Sequence, residues 1–176
     1  MKTYPLILGA LVGLAAINPA LAAEAPAKTA ARVEVTFSSP DKFSDVRDTY
    51  TASDQGRDGI LGQIRDYLVR RADRYLSPGQ KLSVTFTDID LAGDFEPWRG
   101  SESMDIRIVK DVYPPKMDLE FKLTGADGAV LREGKRQLRD LAFMLKLSIN
   151  RNDMLHFEKD LLDDWLKEDF PRAKSG

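Results

Sequence analysis

The sequence predicts an α+β fold, a two-layer sandwich in which a single antiparallel sheet of about five strands packs two helices on one face. Three observations support this prediction. Apolar and polar residues alternate in several short segments, which is typical of half-buried strands. Two longer segments repeat apolar residues at three- and four-residue spacing, which is typical of amphipathic helices. The order along the chain is strand, helix, a run of strands and a final helix.

The strands are predicted from alternation. Residues 32–37 form the first, and residues 117–123 and 130–139 form two later strands. The segment 138–149 is ambiguous, because its apolar spacing fits a helix but the strand could also run on.

The helices are predicted from their caps and apolar stripes. Ser53 or Asp54 caps the first helix, which ends before a Ser-Pro-Gly stop. Asn152 or Asp153 caps the second, which ends at Phe170 because a proline follows. The apolar stripe of the first helix contains Ile60, Leu61, Ile64, Leu68, Ala72 and Tyr75.

The central strand starts at Lys81 and has a register conflict at Asp88, which strict alternation would place on the apolar face. Either a bulge shifts the register there, or Asp88 faces inward and needs a partner. Residues 104–113 are predicted to form the next strand, paired with the central one as a hairpin. This pairing would bring Lys110 near Asp88, so an Asp88–Lys110 ion pair is expected.

The chain of 176 residues is long enough for one domain behind an export signal. Its start combines a positive charge, a short apolar run and a small-x-small cleavage site, which is typical of a secretory signal peptide. The predicted destination is the periplasm, and a retained anchor is the alternative. No later stretch is apolar and long enough to span a membrane. The predicted parts are the signal peptide (1–22), a flexible leader (23–31), the α+β domain (32–170) and a tail (171–176).

Composition excludes several functional classes. The chain has 26 basic and 28 acidic side chains and a net charge of −2, so nucleic acid is not a predicted partner. It has no cysteine, which excludes disulfides, thiol nucleophiles and zinc–cysteine sites. The single histidine, His156, is interpreted as a partly exposed helix residue, because no serine-nucleophile motif accompanies it. No phosphate-binding glycine loop occurs either, and we predict no cofactor.

The candidate site is the loop that follows the central strand. Hard cations take oxygen ligands, but a calcium loop starting at Asp88 would need a bidentate Glu where Arg99 stands. We therefore favour an acidic loop held by salt bridges and predict no metal site. Trp98 is interpreted as a lid packed on the sheet edge, with a binding residue as the alternative. The candidate binding residues are Asp88, Asp90, Asp94, Glu96, Trp98 and Arg99.

Three motifs, TFTDIDLAGDFEPWRG, DIRIVKDVYPPKMDLEFKL and EKDLLDDWL, resemble the bacterial domain of unknown function family 3016. The resemblance covers residues 33–170. It implies an exported protein, usually of Gram-negative bacteria, and it implies no activity, ligand or catalytic residue.

These features predict a non-enzymatic binding or interaction module that uses the loop 88–99, with another envelope protein as its partner. The alternative is a hydrolase that uses the carboxylates of this loop, with or without a divalent cation. A hydrolase should gather several of these acids in a concave pocket. A binding module should present a flatter surface around Trp98, with the acids solvated or paired with Arg and Lys.

Overall fold

Eight helices and strands make up the part of the chain that the structure describes. A computed structural model describes residues 31–146 and 152–171. The predicted signal peptide lies outside these residues, as do nearly all of the predicted leader and tail. No helix within them is long and apolar enough to cross a bilayer. The elements are β1 (Val33–Phe37), α1 (Asp54–Ala72), β2 (Lys81–Asp90), β3 (Asp94–Phe95), β4 (Arg107–Ile108), β5 (Lys116–Thr124), β6 (Val130–Arg139) and α2 (His156–Asp169).

The main sheet is mixed and has four strands in the order β1-β2-β5-β6. β1 runs parallel to β2, whereas β5 is antiparallel to both β2 and β6. The α+β class is confirmed, but the expected single antiparallel sheet of about five strands is wrong. A parallel neighbour needs a long crossover, which the loop after β1 together with α1 provides. Alternation in a sequence reveals a strand but not the direction of its neighbour.

The expected hairpin between the central strand and residues 104–113 is also wrong. Only β4 within that segment is a strand, and it pairs with β3 in a separate two-stranded sheet. Both hydrogen-bonding edges of β2 are already taken, one by β1 and the other by β5. The segment between β2 and β5 therefore cannot pair with β2.

The core lies between one face of this sheet and both helices. The predicted apolar stripe of α1 is buried from Ile60 to Ala72. Ser53 caps the helix as expected, because its side chain accepts a hydrogen bond from Gly56 N at 2.9 Å. From α2 and the residues beside it, the core contains Leu155, Leu161, Leu162, Trp165, Leu166 and Phe170.

A β-bulge resolves the register conflict in β2. Phe86 pairs with Leu119 and Asp88 with Asp118, so Thr87 is the extra residue. Ile89 therefore returns to the buried face, while Asp88 remains partly exposed. The first of the two expected alternatives is confirmed.

The start of α2 differs from the expected capping. Its N-cap is Leu155, which makes no side-chain cap bond, rather than Asn152 or Asp153. Asp153 instead accepts from Leu155 N at 3.0 Å and binds Lys159. The helix ends at Asp169, next to the expected Phe170. Of the ambiguous segment 138–149, β6 includes residues 138–139, residues 143–145 form a 3-10 turn, and residues 147–149 lie outside the described residues.

Candidate binding site around Trp98

The candidate site lies on the segment 91–115 between β2 and β5, which we call the Trp98 arm. β3 and β4 form its stem, with Phe95 opposite Arg107. Two 3-10 turns, at residues 97–99 and 101–103, form its tip. Gly93 has a φ of +80°, and a Cβ there would lie 2.8 Å from the carbonyl oxygen of Ile108. The arm can therefore fold back against itself only with glycine at this position.

A buried carboxylate attaches the arm to the loop after β1. Asp45 is 6% exposed and accepts hydrogen bonds from the guanidinium groups of Arg47 and Arg107. These two arginines lie 5.4 and 4.6 Å from the centroid of the Phe95 ring. Burial alone would raise the pKa of Asp45, but the hydrogen bonds from both arginines outweigh burial and hold this pKa below its usual range. The Asp45 carboxylate and the two arginines therefore remain charged at neutral pH.

A second buried carboxylate organises the tip of the arm. Glu96 is 1% exposed, and its oxygens accept from Lys110 Nζ, Arg99 Nε and the Tyr113 hydroxyl. The hydrogen bond from Lys110 is the main reason that the pKa of Glu96 lies below its ordinary value. One side chain therefore joins three separate positions of the arm.

The other acids of the predicted site have partners of their own. Asp88 accepts from the backbone N and the hydroxyl of Ser44, both at 2.7 Å. Asp90 forms a salt bridge with Lys116 at 2.7 Å. Asp94 forms one with Arg47 at 3.1 Å.

The structure gives Asp88 and Lys110 different partners from the expected ones. The ion pair between them depended on a hairpin of the two segments, and that hairpin is not formed. Lys110 belongs to the arm and binds Glu96, whereas Asp88 stays on β2 and binds Ser44. Within the described residues, no salt bridge joins Asp88 to Lys110.

Trp98 is the most exposed of the predicted site residues. Its exposed fraction is 71%, so the interpretation as a lid packed on the sheet edge is wrong. The turn 97–99 carries it away from the core, and Arg99 beside it binds Glu96. His156 is partly exposed as expected, with Nδ1 2.7 Å from the carbonyl oxygen of Asp153.

Two of the predicted acids line an open cavity of about 520 Å³ at the end of the sheet. Asp88 lies directly opposite Asp118 on the neighbouring strand, an unfavourable like-charge pair. Hydrogen bonds from Ser44 to Asp88 and from Gln137 to Asp118 offset this repulsion. In residues 31–146 and 152–171, no three acidic or histidine side chains are grouped so that they could hold a metal ion.

Glu158 on α2 is a further buried carboxylate next to the arm. It is 1% exposed, and its Oε1 accepts from Ala92 N at 2.7 Å. Its Oε2 has no hydrogen-bond partner among the described residues. Burial raises the pKa of Glu158, and the Ala92 N–H and the charge of Arg107 only partly oppose this effect. The contact joins α2 to the first turn of the arm.

Replacing Glu158 with glutamine should change how stability depends on pH. Because burial raises the folded-state pKa of Glu158 above 4.5, the unfolded chain loses this proton first as the pH rises. Stability of the wild type should therefore fall relative to Glu158→Gln as the pH rises from about 4.5 through the raised pKa of Glu158.

Urea unfolding at a series of pH values would measure this difference. The matched control is Glu168→Gln, an exposed glutamate of the same helix. If the stability difference between wild type and Glu158→Gln does not vary with pH, the raised pKa of Glu158 is refuted.

Sequence patterns could have identified some of these missed residues. Glu158 lies three residues after Leu155 and four before Leu162, so it occupies the apolar stripe of its helix. An acid in that position indicates a buried partner. No comparable local pattern marks Asp45, Arg47 or Arg107.

Comparison with known proteins gives one family match. A search among curated proteins finds no match. The family model described as "Protein of unknown function (DUF3016)" matches residues 31–168, from the residues before β1 almost to the end of α2. This match confirms the resemblance inferred from the three motifs. The chain belongs to this DUF3016 family of proteins of unknown function.

Proposed function

We propose that this protein is a non-enzymatic binding or interaction module of the bacterial periplasm and that it contacts its partner through the loop 88–99. The main support is the exposure of Trp98, which is 71% accessible at the tip of the Trp98 arm. An exposed tryptophan leaves a large apolar surface in water. Burying such a side chain in a partner is a common source of binding free energy.

The anchoring of the arm favours binding. Asp45 holds the stem through Arg107, and Glu96 holds the tip through Arg99 and Lys110. A surface that is already ordered loses less conformational entropy when it binds a partner. Trp98 is therefore presented from a pre-organised support.

The alternative, a hydrolase that uses the loop carboxylates, has less support. Its favourable features are the cavity of about 520 Å³, which Asp88 and Asp90 help to line, and a smaller cavity of about 240 Å³, which Asp90 and Asp94 help to line. Asp94 and Glu96 are held elsewhere by Arg47 and Lys110, respectively. The depressed pKa of Glu96 also makes this group a poor proton donor at neutral pH.

Export to the periplasm is supported by the N-terminal sequence. Residues 1–22 combine the positive start, apolar run and cleavage site of a signal peptide. A partner in the same compartment would be another envelope protein.

Replacing Trp98 with alanine should abolish partner capture while leaving the fold intact. The side chain is exposed, so we expect the free energy of unfolding to change by less than about 0.5 kcal/mol. Affinity for a partner captured from solubilised bacterial envelope and then purified should fall at least about tenfold. Quantitative capture followed by titration of the purified partner would measure the change.

The matched control is Leu131→Ala, which removes an exposed apolar side chain from β6, away from the arm. It should leave partner capture unchanged. Identical partner lists for wild type and Trp98→Ala would contradict the proposed function.

A further inference from the structure

The Trp98 arm exposes four large apolar side chains, which are Trp98, Ile106, Val109 and Val112. Three of them are tied to a common point. Glu96 binds Arg99, Lys110 and Tyr113, and these residues are chain neighbours of Trp98, Val109 and Val112, respectively. Adjacent Cα atoms are only about 3.8 Å apart, so each of these apolar residues is attached to the backbone next to a residue that Glu96 holds. Ile106 directly precedes β4 in the stem of the arm.

The charges that the arm leaves free are negative. Its three cations are all engaged by buried carboxylates, since Arg99 and Lys110 bind Glu96 and Arg107 binds Asp45. Glu102 and Asp111 are exposed, and the described residues provide neither with a salt bridge or a hydrogen bond. The arm therefore combines exposed apolar side chains with a net charge of −2, from five acidic and three basic side chains.

We propose that the partner of this arm is a polypeptide segment that combines apolar and basic side chains. This inference rests on the proposed function and adds the chemistry of the partner. The apolar residues of the segment would cover Trp98, and its Lys or Arg side chains would pair with Glu102 and Asp111. Charge complementarity of this kind raises the association rate and excludes acidic partners.

The negative charges of Glu102 and Asp111 disfavour a membrane surface as the partner of the Trp98 arm. Anionic lipid headgroups attract basic segments of proteins and repel acidic ones. The three cations of the arm do not reverse this repulsion, because the arm carries five acidic side chains against these three basic ones, a net charge of −2.

Two synthetic peptides with the same apolar residues would test the inference, one alternating Leu with Lys and the other alternating Leu with Glu. Fluorescence anisotropy of the labelled peptides would measure binding to the full mature chain. We expect the Lys peptide to bind at least about tenfold more tightly than the Glu peptide. Trp98→Ala should reduce binding of the Lys peptide at least about tenfold. Glu102→Gln combined with Asp111→Asn should weaken it by about threefold to tenfold.

The matched control is Asp66→Asn combined with Glu168→Gln, which changes net charge equally at exposed positions on the two helices. It should leave binding of the Lys peptide unchanged. If the control variant loses as much affinity for the Lys peptide as the Glu102 and Asp111 variant, the effect comes from the net charge of the protein alone. That result would overturn the inference.

Equal affinity for both peptides, or no binding of either, would overturn the charge inference. Binding to phosphatidylglycerol vesicles in place of the Lys peptide would also overturn it. In each case partner capture that still depends on Trp98 would leave the proposed function standing. If Trp98→Ala affects neither the peptide nor the captured partner, both proposals fail.

Discussion

Replacing Asp169 with alanine is expected to lower the free energy of unfolding by about 3 kcal/mol. This carboxylate is 4% exposed at the end of α2. It accepts hydrogen bonds from Arg132 at 2.7 Å, from Arg136 at 2.8 Å and from the Trp165 indole N–H at 2.6 Å. The alanine variant would leave two guanidinium groups and the buried indole donor without this acceptor.

The expected value lies at the lower end of the range for breaking a buried ion pair, which is about 3–5 kcal/mol. Arg132 and Arg136 keep 43% and 36% of their side-chain surface exposed, so water can solvate them after the substitution. The indole N–H of Trp165 is more costly to leave unpaired, because that side chain is buried. The salt bridges from Asp169 to Arg132 and Arg136 also join α2 to the edge strand β6. Their loss should weaken the packing of α2 against β6.

Urea unfolding followed by circular dichroism would measure this effect. The matched control is Asp164→Ala on the same helix, where a half-exposed carboxylate binds Lys146 and Lys167. Exposed pairs of this kind contribute less than about 1 kcal/mol. The expectation is wrong if the two variants lose the same stability.

Replacing Asp45 with asparagine is expected to cost about 2–3 kcal/mol at neutral pH. The substitution keeps an acceptor oxygen but removes the negative charge shared by Arg47 and Arg107. Both guanidinium groups would then lie against the Phe95 ring without a buried counter-ion. The attachment of the Trp98 arm to the loop after β1 should weaken, so partner binding through Trp98 should weaken as well.

The contribution of Asp45 should also depend on pH in a defined direction. Its folded-state pKa is lowered from 3.8, so the unfolded chain takes up this proton first as the pH falls. The stability difference between wild type and Asp45→Asn should have its full value above pH 3.8. It should disappear as the pH falls through the lowered pKa of Asp45.

Unfolding of both proteins across this pH range would measure the effect. Asp94→Asn is the matched control, because Asp94 also binds Arg47 but is much more exposed. It should cost less than about 1 kcal/mol. A stability difference for Asp45→Asn that persists unchanged in acid would contradict the lowered pKa.

Local pattern located both helices and the four strands of the main sheet, but it did not identify the partners of these strands. The alternation in β2 revealed a register conflict near Asp88 and left two solutions, an inward-facing Asp88 or a bulge, of which the structure has the bulge. The same alternation could not choose between residues 104–113 and β5 as the neighbour of β2. That choice depends on which strand completes the apolar face opposite both helices, which is a property of the whole core.

The sequence singled out the loop 88–99 as the candidate site, but it did not identify the partners of the side chains there. The acids between Asp88 and Glu96 were expected to form salt bridges, and all but Asp88 do. Their basic partners come from the loop after β1, from β5 and from the arm itself. Trp98 was expected to pack on the sheet edge and instead points into solvent, because the arm forms its own small sheet beside the main one.

The amino-acid sequence by itself determined the α+β class, the buried faces of β1, β2, β5 and α1, the position of the register conflict in β2 and the membership of the family. Each of these depends on the spacing of residue types within a few turns or strand residues of one another, or on extended motifs. Only the tertiary structure decided that β1 lies parallel to β2, that Asp45 and Glu96 anchor the arm, and that Asp169 holds two arginines of β6. These pairings join residues far apart in the chain, and long-range electrostatic partners leave no periodic trace in a single sequence.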